Sequence, residues 1–171
     1  MMRAMTAWRS RGVLVLCALA LVALGAAAGM AIALSPKPPD PPAPEYDSLA
    51  RTEKVEGAPG RALGLSRVVI QPGARIPLHH HLGTQVSYVQ KGTLTYTVQR
   101  GGVEVRRGPG DGKARLVRRI GPGQTGRIPA GTWVVEQRST VHRAANKGGE
   151  RVVIYISNLL EKDAPPSTPV P

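Results

Sequence analysis

Three consecutive histidines, His79, His80 and His81, and a single later one, His142, are the whole imidazole content of this 171-residue chain. In an extended segment side chains i and i+2 share a face, so His79 and His81 converge while His80 points the other way. Gln85 follows four residues after His81, across a short turn at Leu82-Gly83, and can bring an amide oxygen to the same point. His142 lies in the strand-like run Thr140-Val141-His142-Arg143 and is the remaining candidate for a third imidazole. Neutral imidazole binds zinc, iron, copper and nickel, and three histidines with an open position form a catalytic metal arrangement. The opposing reading is a polar strand end in water, with His142 satisfied by a backbone carbonyl.

The elements that would position these residues are short strands. After residue 60 the chain is a series of runs rich in Val, Ile, Thr and Tyr, cut by glycine-containing turns. Candidate strands are Leu65 to Gln71, Gln85 to Gln90, Thr93 to Arg100, Val103 to Arg107, Ala114 to Ile120, Trp133 to Gln137, Val141 to Ala145 and Arg151 to Ser157. No long amphipathic helix is legible there, and about a hundred residues make one small core. The chain has no Phe, so that core must be mostly Val, Ile and Leu. Tyr88, Tyr96, Trp133 and Tyr155 are its large pieces, and Tyr88 and Trp133 could instead line a pocket.

From Gly73 to Gly92 the sequence reads G-x5-H-x-H-x3-Q-x6-G. This resembles the first motif of the cupin superfamily, with Gln85 in the position usually held by Glu. The second motif, G-x5-P-x-G-x2-H-x3-N, fits in two registers. One is anchored on Gly123, Pro129 and Gly131 and puts Val134 in the histidine position. The other is anchored on His142 and Asn146, opens at Gly131 and replaces the usual proline and glycine by Gln137 and Ser139. The second keeps the ligand and is preferred, leaving a conventional turn before His142 in question.

The resemblance spans about residues 60 to 159 and implies an all-β fold, a small antiparallel double-stranded β-helix (jelly-roll or cupin barrel); the apolar stretch nearer the N-terminus is expected to place a helix before it. It implies a divalent transition metal (Fe, Mn, Ni or Zn) held by His79, His81, Gln85 and His142, and a homodimer paired through its sheets. Cupins include dioxygenases, isomerases, epimerases, decarboxylases, storage proteins and sugar sensors, so the fold gives a site and not a reaction. An amide at position 85 cancels no metal charge and offers no base, which would make the centre a stronger Lewis acid and a better host for an anion.

At the N-terminus, Arg3, Arg9 and Arg11 in a basic segment of residues 1–11 precede an uncharged, mostly apolar stretch over residues 12–34. A span needs roughly 20 such residues, and preceding positive charge keeps that end in the cytoplasm. The expectation is a single-pass anchor with the rest of the chain outside the cytoplasm. Secretion after cleavage near Ala26-Ala27-Ala28 is the alternative. Cys17, the only cysteine, lies inside the apolar stretch, and Leu16 before it argues against a lipoprotein signal. Residues 35–59 read as a proline-rich linker, residues 60–159 as the barrel and residues 160–171 as a disordered tail.

The net charge is +12, of which residues 1 to 45 hold four basic and two acidic side chains, leaving about +10 for the rest. Much of it lies between the motifs, at Arg100, Arg106, Arg107, Lys113, Arg115, Arg118, Arg119 and Arg127. No aromatic residues are interleaved for base stacking, which argues against nucleic acid. Anionic lipid or envelope polymer, or a plain solvated face, fits better. Arg75 could steer an anionic small molecule toward the metal, with Tyr88 and Trp133 as further substrate contacts. Three functions follow: a metal-dependent enzyme, dioxygenase-like or isomerase-like; a barrel that binds a small ligand without turnover; and a structural barrel whose histidines are merely tolerated. No catalytic residue is assigned.

Overall fold

The computed structural model describes residues 41–171. The basic segment, the apolar stretch with Cys17 and the first part of the proline-rich spacer lie outside the described residues. Among the described residues there are strands and turns and no helix, hence none long and apolar enough to cross a membrane.

The strands in chain order are β1 (Glu45–Thr52), β2 (Arg61–Ile70), β3 (Arg75–His80), β4 (Gly83–Lys91), β5 (Thr93–Arg100) and β6 (Val103–Arg107). They continue with β7 (Arg115–Ile120), β8 (Thr125–Pro129), β9 (Thr132–Glu136), β10 (Val141–Ala145), β11 (Val152–Glu161) and β12 (Thr168–Pro169). All pair antiparallel, in a seven-stranded sheet of order β1-β2-β11-β4-β9-β6-β7 and a five-stranded sheet of order β12-β3-β10-β5-β8. This is the all-β jelly-roll arrangement that the sequence resemblance implies.

Strict alternation builds the core. Along β5 the side chains of Leu94, Tyr96 and Val98 are buried and their neighbours face out, and β4, β6 and β9 repeat the pattern. Val68, Ile70, Val89, Val98, Val105, Ile120, Ile128, Val134 and Val152 pack around Tyr96. β-branched side chains suit a pleated surface, and they fill the interior that phenylalanine would otherwise take.

Of the four aromatic residues expected to supply bulk, Tyr96 alone is fully buried. Tyr155, Tyr88 and Trp133 are register partners in a row across β11, β4 and β9. Their parity puts them on the outer face of the larger sheet, where Tyr88 is 42% exposed.

Two segments expected to be irregular are ordered. The spacer drawn to residue 59 gives way at Glu45 to β1, which pairs with β2 from Glu45↔Val69 to Thr52↔Leu63. Every residue of β1 is exposed, so backbone ladder bonds and not an apolar pattern hold it in place. The tail drawn from residue 160 likewise begins inside β11 and later forms β12, where Thr168 pairs with His80 and Pro169 with His79. Gly73 and Gly92, the glycines that open and close the first motif, have φ of +81° and +76°. A side chain would be strained in that left-handed region, which explains the motif's insistence on glycine at the two turns framing β3 and β4.

Candidate metal centre

Pairing of β3 with β10 places His142 directly opposite His79. Side chains directly opposite on one face lie about 4.5–5.5 Å apart at Cβ, so this register alone brings the late histidine to the early pair. The ring centroids of His79 and His142 are 4.3 Å apart, those of His79 and His81 4.9 Å and those of His81 and His142 5.3 Å. All three are buried, whereas His80 turns to the other face. Ligand nitrogens of His79, His81 and His142 all lie within 4.8 Å of one another.

Two of the rings are oriented from outside the cluster. The Nδ1–H of His79 donates to the Pro77 carbonyl at 2.8 Å, and that of His81 donates to the Pro166 carbonyl at 2.7 Å. A proton held on Nδ1 leaves the Nε2 lone pair for the interior, the arrangement that metal-bound histidines commonly show. His81 Nε2 and His142 Nδ1 are buried without a hydrogen-bond partner. An unpaired buried polar atom is costly, so the His81 nitrogen, which faces the cluster, fits a cation better than it fits an empty interior. Burial pushes His142 down to about 4 against the opposing pull of Glu136, and burial lowers His79 as well. Both are therefore neutral at pH 7, as a ligand must be.

Gln85 is buried in the same chamber, but its amide nitrogen donates to Glu136 Oε2. Glu136 is the residue the sequence reading missed. It is 3% exposed and register partner of Gln85 across the β4–β9 ladder, and its Oε1 lies 3.4 Å from His142 Nε2. Oε2 lies 3.8 Å from His81 Nε2. Tyr96 donates to Oε1 at 2.6 Å while stacking on His142, and Ser87 donates to Oε2 at 3.2 Å. Burial by itself would raise the Glu136 carboxyl; His142, His81 and the hydrogen bonds from Tyr96 and Gln85 outweigh it and hold the group below the usual carboxylate range. The available signal was parity, since Glu136 shares the inward face of β9 with Thr132 and Val134.

The chamber around these groups has a volume of about 60 Å³ and is closed on its apolar sides by Val89, Leu94, Ala144, Ile154 and Ile156. Next to it, sharing Tyr46, Ile76, Asn158 and Pro166, lies a vestibule of about 410 Å³ between the β1–β2 edge of one sheet and the β3–β12 edge of the other. Arg75 lines this vestibule. Tyr88 and Trp133 line neither space, and the Trp133 indole N–H donates to the Gly108 carbonyl outside the barrel.

Val134 is a core residue, and the turn before His142 is made without proline or glycine, by the Thr140 N–H donating to the Gln137 carbonyl. Asn146, 1% exposed, donates to the carbonyls of Ile70 and Glu150 and accepts from the Gly148 N–H. It fixes the end of β10 against β2 and carries no ligand role.

A family model described as "Cupin domain" matches residues 66–114. No curated protein matches the chain. Among solved structures, a cupin 2 domain-containing protein from Halorhodospira halophila is similar at 11% identity and a TM-score of 0.49, over 81% of this chain and 76% of that one. The Cnp3 cupin domain of Schizosaccharomyces pombe is similar at 16% identity and a TM-score of 0.47, over 68% and 64%. Oxalate decarboxylase of Bacillus subtilis, a protein with Mn(II) centres, is similar at 22% identity and a TM-score of 0.42 over 63% of this chain. The match spans about a quarter of that enzyme's length, 24%.

Proposed function

We propose that the chain is a cupin-domain protein in which His79, His81 and His142 hold a divalent transition metal at which a small, anionic molecule is bound and transformed. The observation that carries this reading is the burial of three convergent imidazoles with His81 Nε2 left unpartnered. A bound ion would supply Lewis-acid polarisation and positions for substrate. The protein's own groups do the rest. Pro77 and Pro166 carbonyls fix the rings of His79 and His81, Arg75 draws the anion into the vestibule, and Ile76, Pro77 and Leu160 exclude water from its body. The small chamber then admits only the reacting end of the molecule, and the remainder stays in the vestibule. A dioxygenase-like or isomerase-like reaction fits that division.

Elemental analysis of the purified full-length chain tests the reading. About one transition metal per chain, lost in His81→Ala, is the expected result; a metal-free wild-type protein that gains no stability from added metal would sink it. A ligand-binding barrel without turnover is the second reading, favoured by the vestibule, and differs in giving saturable, salt-sensitive binding with no product. The proposal includes a location: the basic residues before the apolar stretch over residues 12–34 support a barrel held outside the cytoplasm. Protease treatment of intact cells should digest the barrel if that is so. A homodimer through the outer face of the larger sheet completes the proposal.

A further inference from the structure

The family's motif leaves this centre without a carboxylate, because position 85 is an amide, yet a carboxylate stands in the chamber. We propose that Glu136 is a metal ligand, supplying from β9 the acidic group that β4 lacks. The inference rests on the metal reading above and goes beyond it in naming a ligand that neither motif assigns.

Geometry comes first. Metal bonds of about 2.0–2.2 Å put neighbouring ligand atoms roughly 3 Å apart. The Glu136 oxygens sit 3.4 Å from a His142 nitrogen and 3.8 Å from the His81 nitrogen that has no partner, inside the 4.8 Å that separates the imidazole ligand atoms from one another. An ion held by His81 and His142 would therefore have a Glu136 oxygen as its neighbour on the β9 side.

Charge comes second. A buried carboxylate surrounded only by neutral donors is poorly compensated, and Tyr96, Gln85 and Ser87 are all neutral donors. Among the described residues no lysine or arginine pairs with Glu136. A divalent cation beside it removes the deficit, and the centre then carries about one positive charge in place of two.

The pairing of positions comes third. Gln85 and Glu136 are direct register partners, so a glutamate at 85 would press two carboxylates together in one buried site. The amide instead donates to the carboxylate. The departure at position 85 and the presence of Glu136 are thus one arrangement, with acid and amide exchanged across a strand pair.

Cobalt(II) alone, titrated into the metal-stripped full-length protein, is the probe, with affinity taken from chelator competition and coordination from the visible absorption of the ion. Glu136→Gln should weaken Co(II) binding by at least about tenfold and change the spectrum. The double exchange Gln85→Glu with Glu136→Gln restores one carboxylate and one amide to the pair and should recover the affinity. Wild-type affinity and spectrum in Glu136→Gln would overturn the assignment, as would a folded double exchange that binds no better than the single variant. Should Glu136→Gln fail to fold, the double exchange decides alone, binding supporting the ligand role and loss of binding refuting it. A wild-type protein that takes up no Co(II) overturns the three-histidine reading itself, and is seen before any variant is made.

Discussion

The Nδ1 of His81 lies 2.7 Å from the carbonyl oxygen of Pro166, 85 residues further along the chain. The C-terminal segment is therefore part of the centre. β12 pairs with β3 at the residues flanking the site, and the Val170 N–H donates to the Leu78 carbonyl to hold it there.

A chain ending at Asp163 removes that carbonyl and frees the His81 ring to choose its tautomer. Metal affinity should drop by about 10–100-fold, the usual effect of losing a partner that orients a ligand. Far-ultraviolet circular dichroism should show the sheets retained, and isothermal titration with Zn(II) gives the affinity. Unchanged affinity would mean that the tail covers the site without shaping it.

Metal should stabilise the folded chain, since ligands converge only there. Free metal at a hundred times its dissociation constant contributes about 2.7 kcal/mol. Thermal melts with and without chelator measure the difference, and in His142→Ala the two melts should coincide.

Stability of the metal-free protein should depend on pH in a defined sense. Burial brings His142 to about 4 in the folded chain, against its ordinary 6.5 when unfolded. The unfolded state therefore binds the extra proton between those values, and stability falls as pH drops from about 6.5 to about 4, by up to roughly 3 kcal/mol. The lowered Glu136 acts in the same direction further down, its contribution being present above its unfolded value of 4.5 and lost as pH falls through its folded value. Urea melts at several pH values in chelator should show this slope, and His142→Gln should flatten the upper part.

Asn146→Ala leaves the buried carbonyl of Ile70 and that of Glu150 without their donor. Each stranded group costs on the order of 1–3 kcal/mol where water cannot replace the bond. An unfolding free energy from denaturant melts lowered by that amount, with full metal stoichiometry at low temperature, is the expected outcome. Loss of metal from a protein of unchanged stability would contradict a purely structural role.

The three histidines were legible because their convergence needs only a period of two and one strand pairing. Glu136 was not, because its place depends on a β4–β9 register linking residues 51 apart, which no local pattern states. β8 was hidden by Gly126, Arg127 and Pro129, residues that seldom mark a strand, and is held by its partner β5. β1 and β12 were hidden for the opposite reason, as proline-rich or polar flanks that add to edges already built. Tyr88 and Trp133 have the wrong parity for a pocket: with Gln85 inward, as its expected ligand role already required, alternation sends both Val86 and Tyr88 outward.

Among the described residues β1 buries no side chain and has a neighbour on one side only, while Tyr46, Ser48 and Ala50 from it wall the vestibule. Peeling it away exposes almost nothing apolar, so it belongs to the cheapest local openings of the molecule. Amide hydrogen exchange should run faster along β1 than along β11, which is flanked by β2 and β4. That whole side of the vestibule thus rests on a single ladder of backbone bonds to β2.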